Sequence, residues 1–263
     1  MSLVAITREV SDSIGRCELT HLERRPIDVT LARSQHKQYE WLLRSLGCSV
    51  HTLPALDEYP DGVFVEDPAL VLDELAILLR PGVASRRGES ASLESALRPF
   101  RTVERIEAPG CIDGGDVIQV GKRIFVGESS RSNAAAVAQL REIVLPLGYE
   151  VKTVPVKGVL HLKSAATAIT DNRLLVNPRM VPQTAFEGLE ILHVDPAEPF
   201  AANALRVESA VITQDSFPRT REILEQAGLS VRSVDASELS KAEGALTCCS
   251  LLFRQRGDAS APE

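Results

Sequence analysis

The sequence lacks the features of a membrane, secreted or nucleic-acid-binding protein. No stretch reaches the roughly 18 apolar residues that a bilayer-spanning helix needs. Met1 to Arg8 has neither a basic lead nor a long apolar run, so a secretory leader is not expected. No dense Lys/Arg block is present and the formal net charge is −7, which suits a phosphate backbone poorly. The five cysteines (Cys17, Cys48, Cys111, Cys248, Cys249) make no C-x-x-C pair and no short secreted framework. An odd count of this kind points to free thiols in a reducing compartment, hence the cytoplasm. Five histidines (His21, His36, His51, His161, His193) are scattered without an H-E-x-x-H, so no metal is expected, and nothing calls for another cofactor.

What is present is ordinary globular composition, 44% hydrophobic and 25% charged over 263 residues, arranged in a repeating unit. An amphipathic helix ends near a glycine, a short alternating strand follows, then a loop and a β-hairpin. The strands read Cys48–Pro54, Thr102–Ile106, Glu150–Pro155, Glu190–Val194 and Ser230–Val234, each alternating with period two. Apolar stripes mark helices at Tyr39, Leu42, Leu43 and Leu46, at Val137, Leu140, Val144 and Leu147, and at Ile223 and Leu224 after Pro218. A shorter helix surrounds Leu93 and Leu97, and Thr184–Leu189 suffices only for a turn. Gly47, Gly148 and Gly228 stand where C-terminal caps belong.

Hairpins are expected over Phe64–Leu79, Val117–Val126, Thr167–Val176 and Leu205–Thr213. A fifth begins at Leu246 and runs out near Arg254, where the Val4–Arg8 strand could complete it. Five units spaced by 40–50 residues or so are a radial repeat signature. Residues 1–256 are expected to form a single α/β domain with 257–263 as a loose tail, because no linker separates the units.

The loop that follows each alternating strand carries the chemistry. In order these loops deliver Asp61 to Asp67, Asp113-Gly114-Gly115-Asp116, His161-Leu162-Lys163-Ser164, Asn203, and Thr247-Cys248-Cys249-Ser250. In a closed ring such equivalent positions converge at one end of the axis. A cysteine nucleophile needs a base or cation beside it, and a histidine needs a carboxylate to fix its tautomer. Taken one at a time, a buried Cys, a His among leucines and an Asp-Gly-Gly-Asp turn are ordinary packing features. Their recurrence at one position of the unit makes the joint case.

Phe64-Val65-Glu66-Asp67-Pro68, Ser85-Arg86-Arg87, Asp113-Gly114-Gly115-Asp116-Val117, Ser130-Arg131-Ser132-Asn133, His161-Leu162-Lys163-Ser164 and Leu246-Thr247-Cys248-Cys249-Ser250 occur in this order. Together they resemble the dimethylarginine dimethylaminohydrolase family, from about Arg8 to Phe253. The resemblance implies the pentein fold, a five-bladed ββαβ propeller with pseudo-fivefold symmetry. It also implies hydrolysis of Nω-methylated arginine to citrulline and an amine through a covalent thiouronium. By motif, Cys248 is the nucleophile, His161 the acid/base, and Asp113 its orienting carboxylate, a place where some relatives carry Glu. Asp67 pairs with the guanidinium, with Glu66 beside it. Arg86 and Arg131 hold the α-carboxylate, and Asp61 with the backbone of Leu19 and Ala242 receives the α-ammonium. The implied partner is a small cationic amino acid, with neither nucleic acid nor membrane; a homodimer is left open.

Two alternatives are an arginine deiminase and a non-catalytic propeller that binds a partner. Deiminases of this superfamily carry an acidic residue two places after the His, where this chain has Lys163. Lysine has no acceptor, so it cannot grip unsubstituted guanidinium nitrogens. Nω-methylated arginines are therefore expected to show much higher kcat/KM than arginine in a citrulline-release assay. Equal turnover of arginine would mark a deiminase instead.

Overall fold

The computed structural model describes residues 2–255; the expected domain end at residue 256 and the 257–263 tail lie outside the described residues. The chain is built from five mixed sheets of three strands each. Every sheet starts with an antiparallel pair, a hairpin in four of the five, and its third strand runs parallel to the second. A parallel partner cannot be reached through a tight turn, so each unit needs a crossover. A helix or helical turn supplies it.

Blade I pairs Ala69–Val71, Leu75–Leu78 and Thr102–Arg105, with the helix Ser90–Leu97 in its crossover. Blade II uses Val117–Val120, Arg123–Glu128 and Glu150–Pro155 with the helix Ala134–Val144. In blade III, Ala166–Ala168, Arg173–Val176 and Glu190–His193 are joined through a single 3-10 turn, Gln183–Phe186. Blade IV has Leu205–Val207, Ala210–Gln214 and Ser230–Val234 with the helix Pro218–Gln226. Blade V takes its first strand, Leu251–Arg254, from the C-terminal end and its others, Leu3–Arg8 and Cys48–Leu53, from the N-terminal end. The helix Val29–Ser45 links those last two.

Local chemistry sets these boundaries. Asp28 and Asn133 cap their helices by accepting the backbone N–H of Leu31 and Ala136, both at 3.0 Å. Gly47 (φ +91°) and Gly228 (φ +83°) end two helices in the left-handed region, where a side chain would be strained. The expected hairpin from Phe64 shortens to Ala69–Leu78. The reason is that residues 61–68 fold into successive turns, closed by Phe64 N–H to Asp61 C=O at 2.9 Å and Ala69 N–H to Glu66 C=O at 3.3 Å.

The first strands of all five blades line one axial cavity of about 320 Å³, which makes the architecture a closed five-bladed ββαβ propeller of the α/β class. Apolar clusters weld neighbouring blades. One joins Val4, Ile6, Leu251 and Phe253 of blade V to Val65, Ala69, Leu78, Leu93 and Leu97 of the next unit. Ile6 is fully buried there and faces Leu251 across the strand pair that closes the ring. Ile6→Ala is therefore expected to cost about 2–5 kcal/mol of unfolding free energy. Urea denaturation measures it, and a loss below about 1 kcal/mol would mean that this contact does not help seal the ring.

Candidate active site

The turns that lead into the first strands converge at one end of the axis. Asp113 immediately precedes the 3-10 turn Gly114–Asp116, and His161 the 3-10 turn Leu162–Ser164. Cys248 lies within a third such turn, Thr247–Cys249, and Asp67 closes the corresponding turns of blade I. The fifth hairpin, expected from Leu246, has its strand only from Leu251, so the two adjacent cysteines lie in the turn before it and do not alternate as strand residues would. A 3-10 turn advances about 120° per residue. Cys249 turns into the apolar core with its Sγ 3.4 Å from Ala245 C=O, while Cys248 keeps 8% exposure. Ser250 is buried and pairs with the Tyr39 hydroxyl at 2.6 Å.

His161 Nε2 lies 3.0 Å from Asp113 Oδ2, and its Nδ1 lies 4.0 Å from Asp67 Oδ1. The Asp-Gly-Gly-Asp motif makes this approach possible. A Cβ on Gly115 would stand 2.4 Å from His161 Nδ1, and one on Gly114 would stand 2.0 Å from Glu66 C=O. Gly115 N–H also donates to Asp67 Oδ1 at 3.0 Å. Asp113 Oδ1 accepts the N–H of Gly82 at 2.8 Å. Asp116 Oδ1 accepts Leu162 N–H at 3.0 Å, and Oδ2 takes the Ser129 and Ser132 hydroxyls, so this carboxylate anchors the turn of His161.

Burial alone would depress the His161 pKa, but Asp67, Asp113 and Asp116 around it raise it to about 9. Burial would raise Asp67, yet His161, Arg86 and the Gly115 N–H hold it down at about 2. The Cys248 thiol goes the other way. Burial, then Glu66 and Asp67, push it well above its ordinary value.

Arg86 is buried with its fork filled. Nη1 donates to Asp67 Oδ2 at 2.6 Å, while Nε and Nη2 hold both oxygens of Glu89 at 3.0 and 2.9 Å. Arg131 is also buried; its Nη2 donates to Thr20 Oγ1 at 2.9 Å, and Nη1 lies 3.5 Å from Asp113 Oδ2. Asp61 Oδ2 accepts Glu18 N–H at 3.0 Å. Leu19 and Ala242 pack in the same apolar cluster as Cys248. Three of the expected residues, Asp61, Arg131 and Leu19, thus gather on the segment 18–22, and Ala242 shares the apolar cluster of Leu19. Three more, Asp67, Asp113 and His161, form one charged cluster, and Arg86 reaches it through Asp67. Glu66 is turned elsewhere: Oε1 holds Lys163 Nζ at 2.6 Å and Oε2 accepts Thr247 Oγ1 at 3.0 Å, beside the axial cavity. Its backbone N–H donates to Cys248 C=O at 3.2 Å, which ties the Asp67 and Cys248 turns together.

The ligand-capable atoms of Asp67, Asp113 and His161 lie within 4.8 Å of one another. In this arrangement His161 Nε2 is engaged by Asp113 and Asp67 Oδ2 by Arg86, so these donors are taken up by one another as an ion-pair cluster. Residues that the sequence did not single out complete the site. Glu89 could be suspected from its i,i+3 spacing to Arg86. Glu243, whose carboxylate accepts the N–H groups of Thr20, His21 and Leu22, carries no such signal.

The His161 shift has a stability consequence. Its folded pKa of about 9 exceeds the unfolded value near 6.5, so its contribution is full below about pH 6.5 and is lost as pH rises through 9. Asp67 contributes above about pH 4, and that contribution is lost as pH falls through 2. The fall of Tm between about pH 7 and 9.5 is therefore expected to be shallower in His161→Gln than in the native protein. Parallel slopes would contradict the assigned ion pairing.

No family model matches the sequence. The N(G),N(G)-dimethylarginine dimethylaminohydrolase of Pseudomonas aeruginosa is 38% identical over 228 residues, covering 86% of this chain and 90% of that protein. A structure of that bacterium's enzyme, a cysteine-to-serine mutant complexed with citrulline, superposes with a TM-score of 0.89 at 35% identity. It covers 96% of this chain and 100% of that one. A dimethylarginine dimethylaminohydrolase adduct with S-methyl-L-thiocitrulline, a histidine-to-glycine mutant, superposes at 0.90 with 35% identity and the same coverage.

Proposed function

The chain belongs to the dimethylarginine dimethylaminohydrolase family, and from that premise we propose how its own residues carry the reaction. The activity is hydrolysis of Nω-methylated arginine to citrulline, with release of dimethylamine or methylamine, through a covalent cysteine intermediate. In this reading Cys248 is the nucleophile, His161 the acid/base and Asp113 its orienting partner. The observation that carries it is the convergence of Asp67, Asp113 and His161 at one end of the axis, with the Asp67 turn bonded to that of Cys248.

The substrate guanidinium is planar and delocalised, hence a poor electrophile. Asp67 fixes its plane and keeps it cationic. Arrival of that cation among buried carboxylates favours the thiolate, and the Cys248 proton leaves to solvent. Sγ bonds to the guanidinium carbon, the C–N bond to the methylated nitrogen breaks, and His161 protonates the departing amine. A thiouronium remains on Cys248. Neutral His161 then takes a proton from water and the oxygen bonds to carbon; the C–S bond breaks as the remaining O–H proton is released and Cys248 regains a proton, and citrulline leaves. Acid–base help of this sort is worth roughly 10²–10⁴-fold.

At the amino-acid end, Asp61 and the backbone carbonyls of Leu19 and Ala242 receive the α-ammonium. Arg131 exchanges Thr20 Oγ1 for the α-carboxylate, and Arg86, its fork filled, acts there through its charge. Glu66, neutralised by Lys163, stands behind Asp67. All these residues come from one chain, so a homodimer is not needed to complete the site. Among the described residues no helix is long and apolar enough to cross a membrane. We place the enzyme in the cytoplasm, a reading supported by five unpaired cysteines.

The two adjacent cysteines provide the test. Cys248→Ser is expected to form no citrulline from asymmetric dimethylarginine, because the same surroundings cannot ionise an alcohol. Cys249→Ser is expected to stay active with a lower Tm, since its thiol is packed in the core. Intact-mass spectrometry locates the adduct. An adduct on Cys249, or an active Cys248→Ser enzyme, would assign the nucleophile elsewhere.

A further inference from the structure

Blade IV supplies no charged group to the site, yet it places a polar side chain at the equivalent position. Asn203 precedes that blade's first strand by two residues and is 4% exposed. Its Nδ2 donates to Thr247 Oγ1 at 2.9 Å and to Lys163 C=O at 3.2 Å, and its Oδ1 accepts Thr247 N–H at 3.2 Å. A carboxamide offers two donors and an acceptor in one plane, so it can hold two different turns at once without adding charge.

These bonds belong to a closed circuit. From Asn203 it runs to the Thr247 hydroxyl, which donates to Glu66 Oε2 at 3.0 Å. Glu66 Oε1 holds Lys163 Nζ at 2.6 Å, and Lys163 C=O returns to Asn203. The Thr247 hydroxyl has both roles filled, accepting from Asn203 and donating to Glu66. Every member other than Asn203 adjoins a residue assigned to the chemistry. Thr247 precedes Cys248, Glu66 precedes Asp67, and Lys163 follows His161 by two. Lys163 and Thr247 belong to the His161 and Cys248 turns, and the Asn203 amide joins those turns directly, where Glu66 reaches the His161 turn through the end of the Lys163 side chain.

We infer that Asn203 is a positioning residue for the hydrolysis, one that sets the spacing between the Cys248 turn and the His161 turn. The inference rests on the reading that those two residues carry the reaction. The hydrogen bonds of Asn203 go to Thr247 and Lys163 and not to the cluster of Asp67, Asp113 and His161 or the segment 18–22, so its loss is expected to reach the chemical step more than recognition of the amino-acid end.

Asn203→Ala, the near-isosteric Asn203→Asp and Thr247→Val are assayed with asymmetric dimethylarginine, with Tm measured in parallel and assays run well below the lowest Tm. A displacement of about 1 Å between reacting groups can cost about 10²-fold in rate, so kcat is expected to fall by roughly 10–100-fold with KM changed less than about threefold. Asn203→Asp keeps the acceptor for Thr247 N–H but sets an oxygen against Lys163 C=O, so it is expected to behave like Asn203→Ala. Asn203→Ala combined with Thr247→Val is expected to lose little beyond the worse single variant, because both open the same circuit. Should Asn203→Ala not fold, the other two single variants carry the test. A folded variant with kcat within about twofold of the native enzyme overturns the inference, as does a rise in KM at unchanged kcat. Fully multiplicative losses in the double variant overturn it as well. The native enzyme is measured alongside: if it releases no citrulline, the functional reading itself fails, whereas native turnover with unaffected variants removes only the role of Asn203.

Discussion

The site depends on a surplus of buried negative charge at one end of the propeller axis. Asp61, Glu66, Asp67, Glu89, Asp113 and Asp116 are all buried, and the cations among them are Arg86, Arg131, Lys163 and His161, with buried Arg8 beside Glu89. Six carboxylates facing five cations leave a formal deficit of one positive charge. Burial raises the pKa of Asp61, Glu66, Glu89 and Asp116, which records the strain of keeping so many anions out of water. Asp67 escapes because it lies between His161 and Arg86. The same field holds the Cys248 thiol protonated. In the proposed mechanism the missing cation is the substrate. Its binding relieves the carboxylates and ionises the thiol in one event, which couples reactivity to occupancy.

Holding that cluster in place is mainly the work of backbone turns. Asp113, Asp116 and Asp67 each accept a main-chain N–H, from Gly82, Leu162 and Gly115, so their oxygens are fixed before any ligand arrives. The two glycines of the Asp-Gly-Gly-Asp turn let His161 and the Glu66 backbone come closer than any Cβ would allow. Arg86 is held rigid by Glu89, and removing one partner of such a buried pair commonly costs about 3–5 kcal/mol, because the other is left as an unpaired charge. The arrangement is therefore cooperative. No member can be removed without exposing another to an uncompensated field.

Much of this was legible in the sequence, and the reason lies in what periodicity encodes. Alternation reports which face of a strand is buried, so Glu150–Pro155 and Ser230–Val234 emerge with the observed limits, and the partial unit expected from Leu246 to near Arg254 asks for the strand at Val4–Arg8, observed as Leu251–Arg254 against Leu3–Arg8. Motif spacing places Asp113, His161 and Cys248 at equivalent positions of the units, and ring closure then brings these turns to one end. Pairing between distant side chains has no such periodic trace. Glu66 sits next to Asp67 in the chain but turns to Lys163 and Thr247, and Arg86 meets Asp67 and Glu89 with its whole fork. The two cysteines separate through a 3-10 turn that period-two reasoning mistook for a strand, because a three-residue turn is too short to show a period of its own.

The segment 18–22 gives the charged groups at the amino-acid end partners from the protein itself. Glu18 N–H sits on Asp61, Thr20 Oγ1 on Arg131, and the N–H groups of Thr20, His21 and Leu22 on Glu243. A buried donor or acceptor without a partner costs about 1–3 kcal/mol, so Asp61 and Arg131 would be expensive to bury without these contacts. The contacts resemble, group for group, what the proposed substrate would offer: an N–H for Asp61 in place of the α-ammonium, and an oxygen for Arg131 in place of the α-carboxylate. Both replacements carry full charge where the protein's own groups are neutral, and charge-assisted bonds are roughly twice as strong as neutral ones. In the proposed reading the exchange therefore favours a ligand with both ends of an α-amino acid. A ligand that lacked either end would give up one of these stronger bonds, and the segment would keep its own.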